Sequence, residues 1–445
     1  MTRDCRSRIL VITFSFRPLA NPRAYRWSLL AERLAARGEA VDVITASVPN
    51  APAREELGGL VIHRVGWAPI EALRARLRGR RERAGAGQAP ARPGPLGRLR
   101  AILLRGVVAA WRAVHWPDAS CLWFWPARAA ALRLAREARY DVIVSVAPAF
   151  TAVLVGEHVR RACPEARWLI DIGDPFSLLE ESPPNNVRLF AGRNRRSEAR
   201  WLAAADAVTV TNENVRRRYA DAFIGTAAKL HVIPPVLSLP AEVAAAPAFD
   251  ADGRRALVYI GTLYRGLREP GFLLELFARA VSSGALDDCD LHFVGDVSAC
   301  ADVLDRYRGV LGGRLKVHGL VDRERIAGVM AGAAALINIG NDSLTQLPSK
   351  LVEYAYAARP VINIARTADD TSVAFFTGYP LALNLVHSGL PPDDAQVANL
   401  VRFLRAGPSA IEAAALRAFI APFAPDAVVG RYCRVLDGIR KAGCA

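Results

Sequence analysis

The stretch Gln346-Leu-Pro-Ser-Lys-Leu-Val-Glu-Tyr354, followed by Arg359-Pro-Val-Ile362, is the most informative segment of this chain. Pro348 and Ser349 suit the first turn of a helix that follows a polar loop. Lys350 then stands beside the free backbone N–H groups of that turn, and Glu353 lies one turn further on. The backbone amides, the helix dipole and the amino group of Lys350 together favour a bound diphosphate. The carboxylate of Glu353 can accept hydrogen bonds from sugar hydroxyls. An ordinary capped helix in an α/β domain is the alternative interpretation.

Length and composition predict a folded protein of two domains. The chain has 445 residues, 52% hydrophobic and 23% charged, whereas single cores stop growing at roughly 250–300 residues. It has no run of ~20 uncharged apolar residues, so an integral membrane protein is not expected. The net charge of +15 comes almost entirely from arginine, since only four of the 58 basic residues are lysine. We attribute this charge to a composition bias along the whole chain and predict no nucleic-acid partner.

The cysteines and the N-terminus indicate a cytoplasmic protein. Seven cysteines are scattered without a C-x-x-C pair, which argues against a zinc site and against a disulfide framework. The basic N-terminus runs directly into an apolar strand without a small-residue cleavage site, so no signal peptide is predicted. The expected location is the cytoplasm, at the inner face of the membrane if the basic segment described below binds there.

Apolar runs of strand length alternate with helical periodicity along most of the chain. The opening strand Arg8 to Phe16, helix Ala24 to Arg37 and strand Val41 to Ala46 form a βαβ unit, which implies a parallel sheet. A Pro- and Ala-rich linker follows, and the alternation then restarts. We therefore predict an α/β protein with two doubly wound Rossmann-like domains facing across a cleft that holds the site. The predicted parts are residues 1–235, a linker at 236–253, a second domain at 254–425 and a helix at 426–445 that returns to the first domain.

A basic insertion at about 70–115 fits neither domain. Arg74 to Arg83 and Arg92 to Arg112 hold many arginines and almost no acids. A basic amphipathic helix suits the surface of an anionic membrane, so peripheral contact through residues 74–112 is one interpretation. A solvated, partly disordered insertion is the other, and the sequence does not favour either.

Cationic side chains follow the first strand of the second domain. Ile260-Gly261-Thr262 ends that strand, and Gly261 lets the backbone approach a ligand closely. Arg265 and Arg268 follow in the same loop, and guanidinium groups are good partners for phosphate oxygens. Together with Lys350, these residues predict three cations that converge on one site.

The first domain offers a different set of polar residues. Asp171-Ile-Gly-Asp-Pro175 ends a strand, and its carboxylates can bind an acceptor or deprotonate its hydroxyl. The slightly favoured alternative is that Asp174 caps a turn and Asp171 orders the loop. Asn21 and Arg23 lie in a loop without G-x-G-x-x-G, which argues against a nicotinamide dinucleotide. Neither a Walker loop nor H-E-x-x-H is present, so P-loop hydrolysis and zinc proteolysis have no support.

These segments resemble the GT-B glycosyltransferases, in particular the retaining family-4 type that uses nucleotide-diphosphate sugars, and the resemblance spans nearly the whole chain. Its most specific part is Leu347-Pro-Ser-Lys-Leu-Val-Glu353 with Arg359-Pro-Val-Ile362. It is also carried by Ile9-Leu-Val-Ile-Thr13, Gly38-Glu-Ala-Val-Asp-Val-Ile44, Asp141-Val-Ile-Val-Ser145, Asp171-Ile-Gly-Asp-Pro175 and Val258-Tyr-Ile-Gly-Thr262.

The resemblance implies roles for individual residues. Arg268 and Lys350 would be catalytic, since they would stabilise the diphosphate leaving group, and Glu353 would bind the ribose. Thr345 stands where the family's E-x7-E motif has its first glutamate, with Asp342 nearby. The implied donor-binding residues are Gly261, Thr262, Arg265, Ser349, Glu353, Asp342 and Thr345, and the candidates for acceptor binding are Asn21, Arg23, Asp171 and Asp174.

The resemblance implies transfer of a sugar from a nucleotide-diphosphate sugar to a glycan, lipid-linked or other hydroxyl acceptor. It further implies retention of configuration, no metal and no cofactor besides the donor co-substrate. Two alternatives stay open at this point. One is a sugar-nucleotide epimerase or hydrolase of similar architecture, and the other is a non-catalytic protein that binds membranes or polyanions.

Overall fold

The computed structural model describes residues 7–19, 21–66, 106, 110–111, 113–179, 183–237, 253–406 and 413–442. Most of the predicted basic insertion at 70–115 and of the predicted linker at 236–253 lies outside these residues. The chain divides into two compact units, Met1–Pro234 with Val429–Ala445, and Pro235–Val428. Among the described residues no single helix is long and apolar enough to cross a membrane, although the bent pair Ala413–Phe423 and Pro425–Lys441 meets that criterion jointly.

The first unit contains an eight-stranded sheet in the order β3-β4-β2-β1-β5-β6-β7-β8. All neighbours are parallel except the β3/β4 hairpin. Strands buried on both faces read as continuous apolar runs, and Ile9 to Ile12 of β1 are indeed 0% exposed. The strands are β1 (Arg8–Thr13), β2 (Ala40–Ala46), β3 (Arg54–Leu57), β4 (Leu60–Val65), β5 (Val142–Ala147), β6 (Arg167–Ile172), β7 (Ala207–Val210) and β8 (Leu230–Val232).

Helices connect these strands, and an apolar core of strand and helix residues covers one face of the sheet. Helix α1 shows how local sequence sets a boundary, because Pro22 occupies its first turn and the Asn21 side chain accepts a bond from the Ala24 N–H at 2.9 Å. The described helices are α1 (Pro22–Ala36), α2 (Phe124–Glu137), α3 (Phe150–Ala162), α4 (Val187–Ala204) and α5 (Glu213–Ala222).

The second unit contains a six-stranded, all-parallel sheet in the order β11-β10-β9-β12-β13-β14. Strands β9, β10 and β11 follow one another toward one edge of the sheet, and β12, β13 and β14 follow one another toward the other edge. The strand order therefore reverses between β9 and β12. The strands are β9 (Arg255–Ile260), β10 (Cys289–Val294), β11 (Leu315–Gly319), β12 (Ala335–Ile339), β13 (Val361–Ala365) and β14 (Ala382–Val386).

Helices cover both faces of this second sheet, with a separate apolar core on each face. Alternate residues of one strand enter different cores, as Leu257 and Tyr259 do on one face and Val258 on the other. The helices are α6 (Gly271–Ser282), α7 (Ala301–Leu311), α8 (Arg323–Gly332), α9 (Ser349–Tyr356), α10 (Thr371–Thr377), α11 (Asp394–Ala406) and α12 (Ala413–Ile420). The predicted doubly wound α/β class is confirmed in both units.

The last helix, α13 (Pro425–Lys441), contributes its residues from Val429 onward to the first unit. Its Tyr432 is fully buried, and its Arg440 forms an ion pair with Glu39 at 3.0 Å. The helix therefore closes the first unit although it lies at the far end of the chain.

Asp171 joins α13 to the end of strand β6. Its carboxylate, 1% exposed, accepts bonds from Arg23 at 2.8 Å, Trp27 at 2.7 Å, Thr209 at 2.6 Å and Tyr432 at 2.7 Å. Burial alone would raise the pKa of Asp171, but the neighbouring arginine charges and these bonds outweigh burial and hold the pKa below its usual value. Asp171 is thus a fully satisfied buried charge.

Replacing that charge should destabilise the first unit specifically. Asp171→Asn leaves the guanidinium of Arg23 without its buried partner, and we expect a loss of about 3–5 kcal/mol in free energy of unfolding. All eight tryptophans lie between residues 27 and 201, within the first unit, so tryptophan fluorescence during urea denaturation reports this unit. Glu165→Gln is the control, because the Glu165 side chain is 77% exposed. Equal stability of the two variants would contradict the assignment.

Candidate functional site

The candidate site lies in the second unit, where the loops after β9 and β12 leave the sheet. These strands are neighbours, and the strand order reverses between them. Open α/β sheets bind ligands beyond the carboxyl ends of their strands at such a switch point. The sequence places Gly261 and Arg268 in the first loop and Lys350 just after the second.

Two glycines allow the loop after β9 to pack against the end of β10. Gly261 has a φ of 140° and donates its N–H to the Val294 carbonyl at 2.8 Å. At Gly295, with a φ of 132°, a Cβ atom would stand 2.2 Å from the Gly261 carbonyl oxygen. A side chain at Gly295 would therefore displace the loop. Sequence reasoning missed Gly295, although its position directly after a strand was an available signal.

The loop after β12 is held by its own hydroxyl groups and by helix α10. The Ser343 hydroxyl accepts bonds from the Thr345 and Gln346 N–H groups at 3.3 and 2.9 Å. Thr371 donates its N–H to the Ser343 carbonyl at 3.1 Å and its hydroxyl to the Gln346 carbonyl. Thr345 is 1% exposed. The loop thus reaches α9 in a fixed conformation, with Thr345 in its interior.

Lys350 carries a buried amino group at this point. Helix α9 begins at Ser349 with Pro348 as its N-cap, which confirms the predicted start. The Lys350 Nζ atom is buried and has no hydrogen-bond partner among the described residues, although other atoms of the residue are partly exposed. It lies 5.2 Å from the ring centre of Tyr259 and 5.9 Å from that of Tyr354. The two rings form an aromatic wall around the amine.

Arg268 adds a second cation beside the amine. Its Nε donates to the Asn341 side-chain oxygen, and its guanidinium has no carboxylate partner among the described residues. Burial, and to a lesser extent the charge of Arg268, lowers the pKa of Lys350 to about 7. No acid among the described residues therefore compensates these two basic groups, and a bound anion would restore the charged state of the amine.

The other predicted donor-binding residues have varied surroundings. Arg265 forms an ion pair with Asp302 at 2.5 Å, and both side chains are more than half exposed. The Thr262 carbonyl accepts a bond from the Tyr259 hydroxyl at 3.1 Å. Ser349 and Glu353 are partly exposed on α9. Of the three predicted cations, the structure therefore brings together Arg268 and Lys350 and pairs Arg265 with an acid.

Asp342 has an unusual backbone conformation. Its φ is 51°, in the left-handed region, and its carboxylate lies 3.3 Å from the Arg366 guanidinium. Burial raises the pKa of Asp342, and the charge of Arg366 opposes that rise. Asp342 thus belongs to the same loop as Asn341 but has a different cationic neighbour.

The predicted acceptor-binding residues of the first unit have structural partners. Asn21 caps α1, and Arg23 pairs with the buried Asp171. This placement favours the interpretation in which Asp171 orders its loop. Asp174 is partly exposed in the loop after β6. Their roles toward an acceptor stay predictions.

Sequence reasoning missed three further residues of the site, namely Tyr259, Tyr354 and Asn341. Tyr354 follows Lys350 by four residues on α9, and this spacing places two side chains on one helix face. The positions of Tyr259 and Asn341 depend on contacts between distant segments, for which the sequence has no local signal.

The arrangement suits an anion with several oxygens. The cationic side chains and the first turn of α9 can donate hydrogen bonds to a diphosphate and stabilise negative charge that develops on it. Within the part of the chain that the structure describes, no group of three or more His, Cys, Asp or Glu side chains is placed to hold a metal ion.

Glycosyltransferases are among the solved structures that resemble this chain. Lipopolysaccharide outer core galactosyltransferase WaaB, in its apo form, has a TM-score of 0.58 at 12% identity, over 97% of this chain and 99% of its own. The α,α-trehalose-phosphate synthase (UDP-forming) from Burkholderia vietnamiensis has a TM-score of 0.57 at 12% identity, over 99% of both chains. The catalytic domain of Arabidopsis thaliana starch synthase IV, bound to ADP and acarbose, has a TM-score of 0.55 at 11% identity, over 98% of this chain and 100% of its own.

No protein-family model matches the chain, and no curated protein matches it significantly. The structural similarity confirms the predicted GT-B glycosyltransferase fold. The family-4 resemblance and the roles of single residues stay predictions.

The buried amine should make stability depend on pH. The folded-state pKa of Lys350 is about 7 and that of an unfolded lysine about 10.4, so the unfolded chain binds more protons between these values. The free energy of unfolding should therefore rise with pH in this window. The Lys350→Met variant lacks this rise. Its free energy of unfolding should therefore exceed that of the wild type most below pH 7, by on the order of 4 kcal/mol, and the difference should vanish near pH 10.

Hydrogen exchange of peptides from the second unit measures this difference, because that unit has no tryptophan. The difference between variant and wild type should be compared at each pH, which cancels contributions from other titrating groups. Parallel pH profiles would show that the amine is solvated in the folded protein.

Proposed function

We propose that this chain transfers a glycosyl group from a nucleotide-diphosphate sugar to a hydroxyl acceptor. The observation that carries the proposal is the buried amine of Lys350, which no hydrogen-bond partner among the described residues satisfies, beside Arg268 at the switch point of the second sheet. A buried cation without a partner is costly, and an anionic ligand would remove that cost. The glycosyltransferase fold supports the choice of a sugar nucleotide as this ligand.

In the proposed reaction, the bond between sugar C1 and the diphosphate oxygen breaks while the acceptor oxygen bonds to C1. Negative charge grows on the departing diphosphate, and we assign its stabilisation to Arg268 and Lys350. The acceptor proton passes to the departing phosphate oxygen, with retention of configuration, as the family-4 resemblance implies. We further propose that these two cations supply the charge compensation, so that neither a metal nor a cofactor is needed.

The remaining roles follow from position and sequence. We place the ribose on Glu353, which is partly exposed one turn after Lys350, and a glycan or lipid-linked acceptor on the first unit. We also propose a cytoplasmic protein that contacts anionic membrane through residues 74–112. The arginine content of that segment supports this contact.

A second candidate is a sugar-nucleotide-binding protein without transferase activity. The observation that favours it is Thr345, which stands where the resembled family has a glutamate and is only 1% exposed. Incubation with UDP-, ADP- and GDP-sugars and an acceptor panel separates the candidates. A transferase releases nucleoside diphosphate in an acceptor-dependent manner, and a hydrolase or epimerase forms free or epimerised sugar without acceptor. Binding without turnover would support the second candidate.

Loss of the Lys350 amine should weaken diphosphate binding. For Lys350→Ala we expect a loss of ~1.5–3 kcal/mol in the binding free energy of a nucleoside diphosphate, the size of a charge-assisted hydrogen bond. Titration calorimetry with UDP, ADP and GDP measures it. Arg308→Ala is the control, since Arg308 is more than half exposed and pairs with Asp305 on α7. Unchanged affinity of Lys350→Ala would show that the phosphate site lies elsewhere.

Loss of the Glu353 carboxylate should affect a different part of the ligand. Glu353→Ala is expected to weaken nucleoside diphosphate binding while affinity for inorganic pyrophosphate hardly changes, because a ribose contact is absent from pyrophosphate. The same calorimetric titrations with both ligands provide the measurement. An equal loss for the two ligands would place Glu353 near the phosphates instead.

A further inference from the structure

A second cavity opens in the same unit at the carboxyl ends of β12, β13 and β14. Its volume is about 430 Å³, within the ~300–1,000 Å³ typical of small-molecule sites. Side chains from the loop after β9, from α6 and α7 and from the turns after β13 and β14 line it. The cavity thus lies at the edge of the sheet where ligands of α/β proteins bind.

This cavity adjoins the site formed by Arg268 and Lys350, but other residues line it. Leu267 and Asp342 line the cavity, whereas their chain neighbours Arg268 and Asn341 are hydrogen-bonded to each other. The two sites therefore share the same pair of loops. Lys350 does not line this cavity.

The charges of the cavity disfavour a second phosphate. Glu269, Glu275 and Asp342 contribute three carboxylates, against the single guanidinium of Arg366. Burial, followed by the charge of Arg366, lowers the pKa of His387, so its ring is neutral near pH 7. An excess of carboxylates repels anions but accepts hydrogen bonds from hydroxyl groups.

The same cavity offers apolar surface. The rings of Phe272 and His387 stack with centroids 4.4 Å apart and an interplanar angle of 19°. Leu390, which is 68% exposed, lies at the rim. Carboxylates and a guanidinium beside aromatic and aliphatic surface match a sugar ring, which has hydroxyl groups at its edge and C–H groups on its faces.

Backbone conformation around the cavity adds an independent observation. Asp342, which lines the cavity, and Ser388, which lies in the chain between the lining residues His387 and Gly389, are non-glycine residues in the left-handed region, with φ of 51° and 49°. Gly266 and Gly389, which line the cavity, have φ of 76° and 80°. Non-glycine residues rarely adopt this conformation, and such outliers cluster at functional sites.

We propose that this cavity binds a neutral saccharide, at a site separate from the diphosphate site. Glu275 is held in position by the hydroxyl of Tyr307, which donates to it at 2.9 Å, and Arg366 is held by Asp342 at 3.3 Å. A hydroxylated ring bonds to these two side chains and packs against Phe272. This assignment does not depend on the proposed transferase activity.

Saturation-transfer NMR on the full chain tests the proposal with glucose, galactose and maltose as probes. We expect transfer to the protons of at least one sugar and about tenfold weaker binding in Glu275→Gln and Arg366→Gln, the effect of one lost charge-assisted bond. Glu165→Gln is the matched control, being exposed in the other unit. Saturating inorganic pyrophosphate should leave the sugar signal unchanged.

Three results would overturn the proposal: no transfer to any of the sugars, unchanged binding in both cavity variants, or loss of the signal with pyrophosphate. Circular dichroism checks that each variant is folded. If Arg366→Gln does not fold, Glu275→Gln alone tests the proposal. Pyrophosphate binding, measured separately, keeps the two assignments distinct, because either site can fail while the other binds its ligand.

Discussion

The desolvated amine of Lys350 is the constraint on which the second unit's site depends. A cation that lacks a hydrogen-bond partner among the described residues lowers the stability of the ligand-free fold. The surroundings maintain this state: Tyr259 and Tyr354 enclose the amine, and Gly295 allows the loop after β9 to approach the end of β10. The apolar cores on both faces of the sheet offset the cost.

Asp171 in the first unit shows what a structural buried charge looks like. It is as deeply buried as the amine, yet four donors satisfy its carboxylate and its pKa is held low. The amine of Lys350 differs, since it has no hydrogen-bond partner in the part of the chain that the structure describes and its pKa is lowered to about 7. Asp171 is therefore a buried charge that stabilises the fold, whereas the buried amine of Lys350 has the character expected of a ligand-binding group.

The sequence predicts strands that are buried on both faces. It misses exposed strands and contacts that form between distant segments of the chain. Fully buried parallel strands such as β1 are readable as apolar runs, whereas exposed β3, with sequence Arg-Glu-Glu-Leu, has no apolar pattern. Lys350 was found from its helix start, but its aromatic enclosure and the ion pair of Arg265 with Asp302 arise between distant segments.

The loop after β12 explains how two sites of opposite charge can adjoin. Asn341 accepts a bond from Arg268, while the next residue, Asp342, pairs with Arg366. The left-handed conformation of Asp342 changes the chain direction between these successive residues, so their side chains reach different partners. A cationic site and an acid-rich cavity are therefore separated by one peptide unit. Because unlike potentials favour unlike chemical groups, we expect the cationic site and the cavity to prefer different ligands.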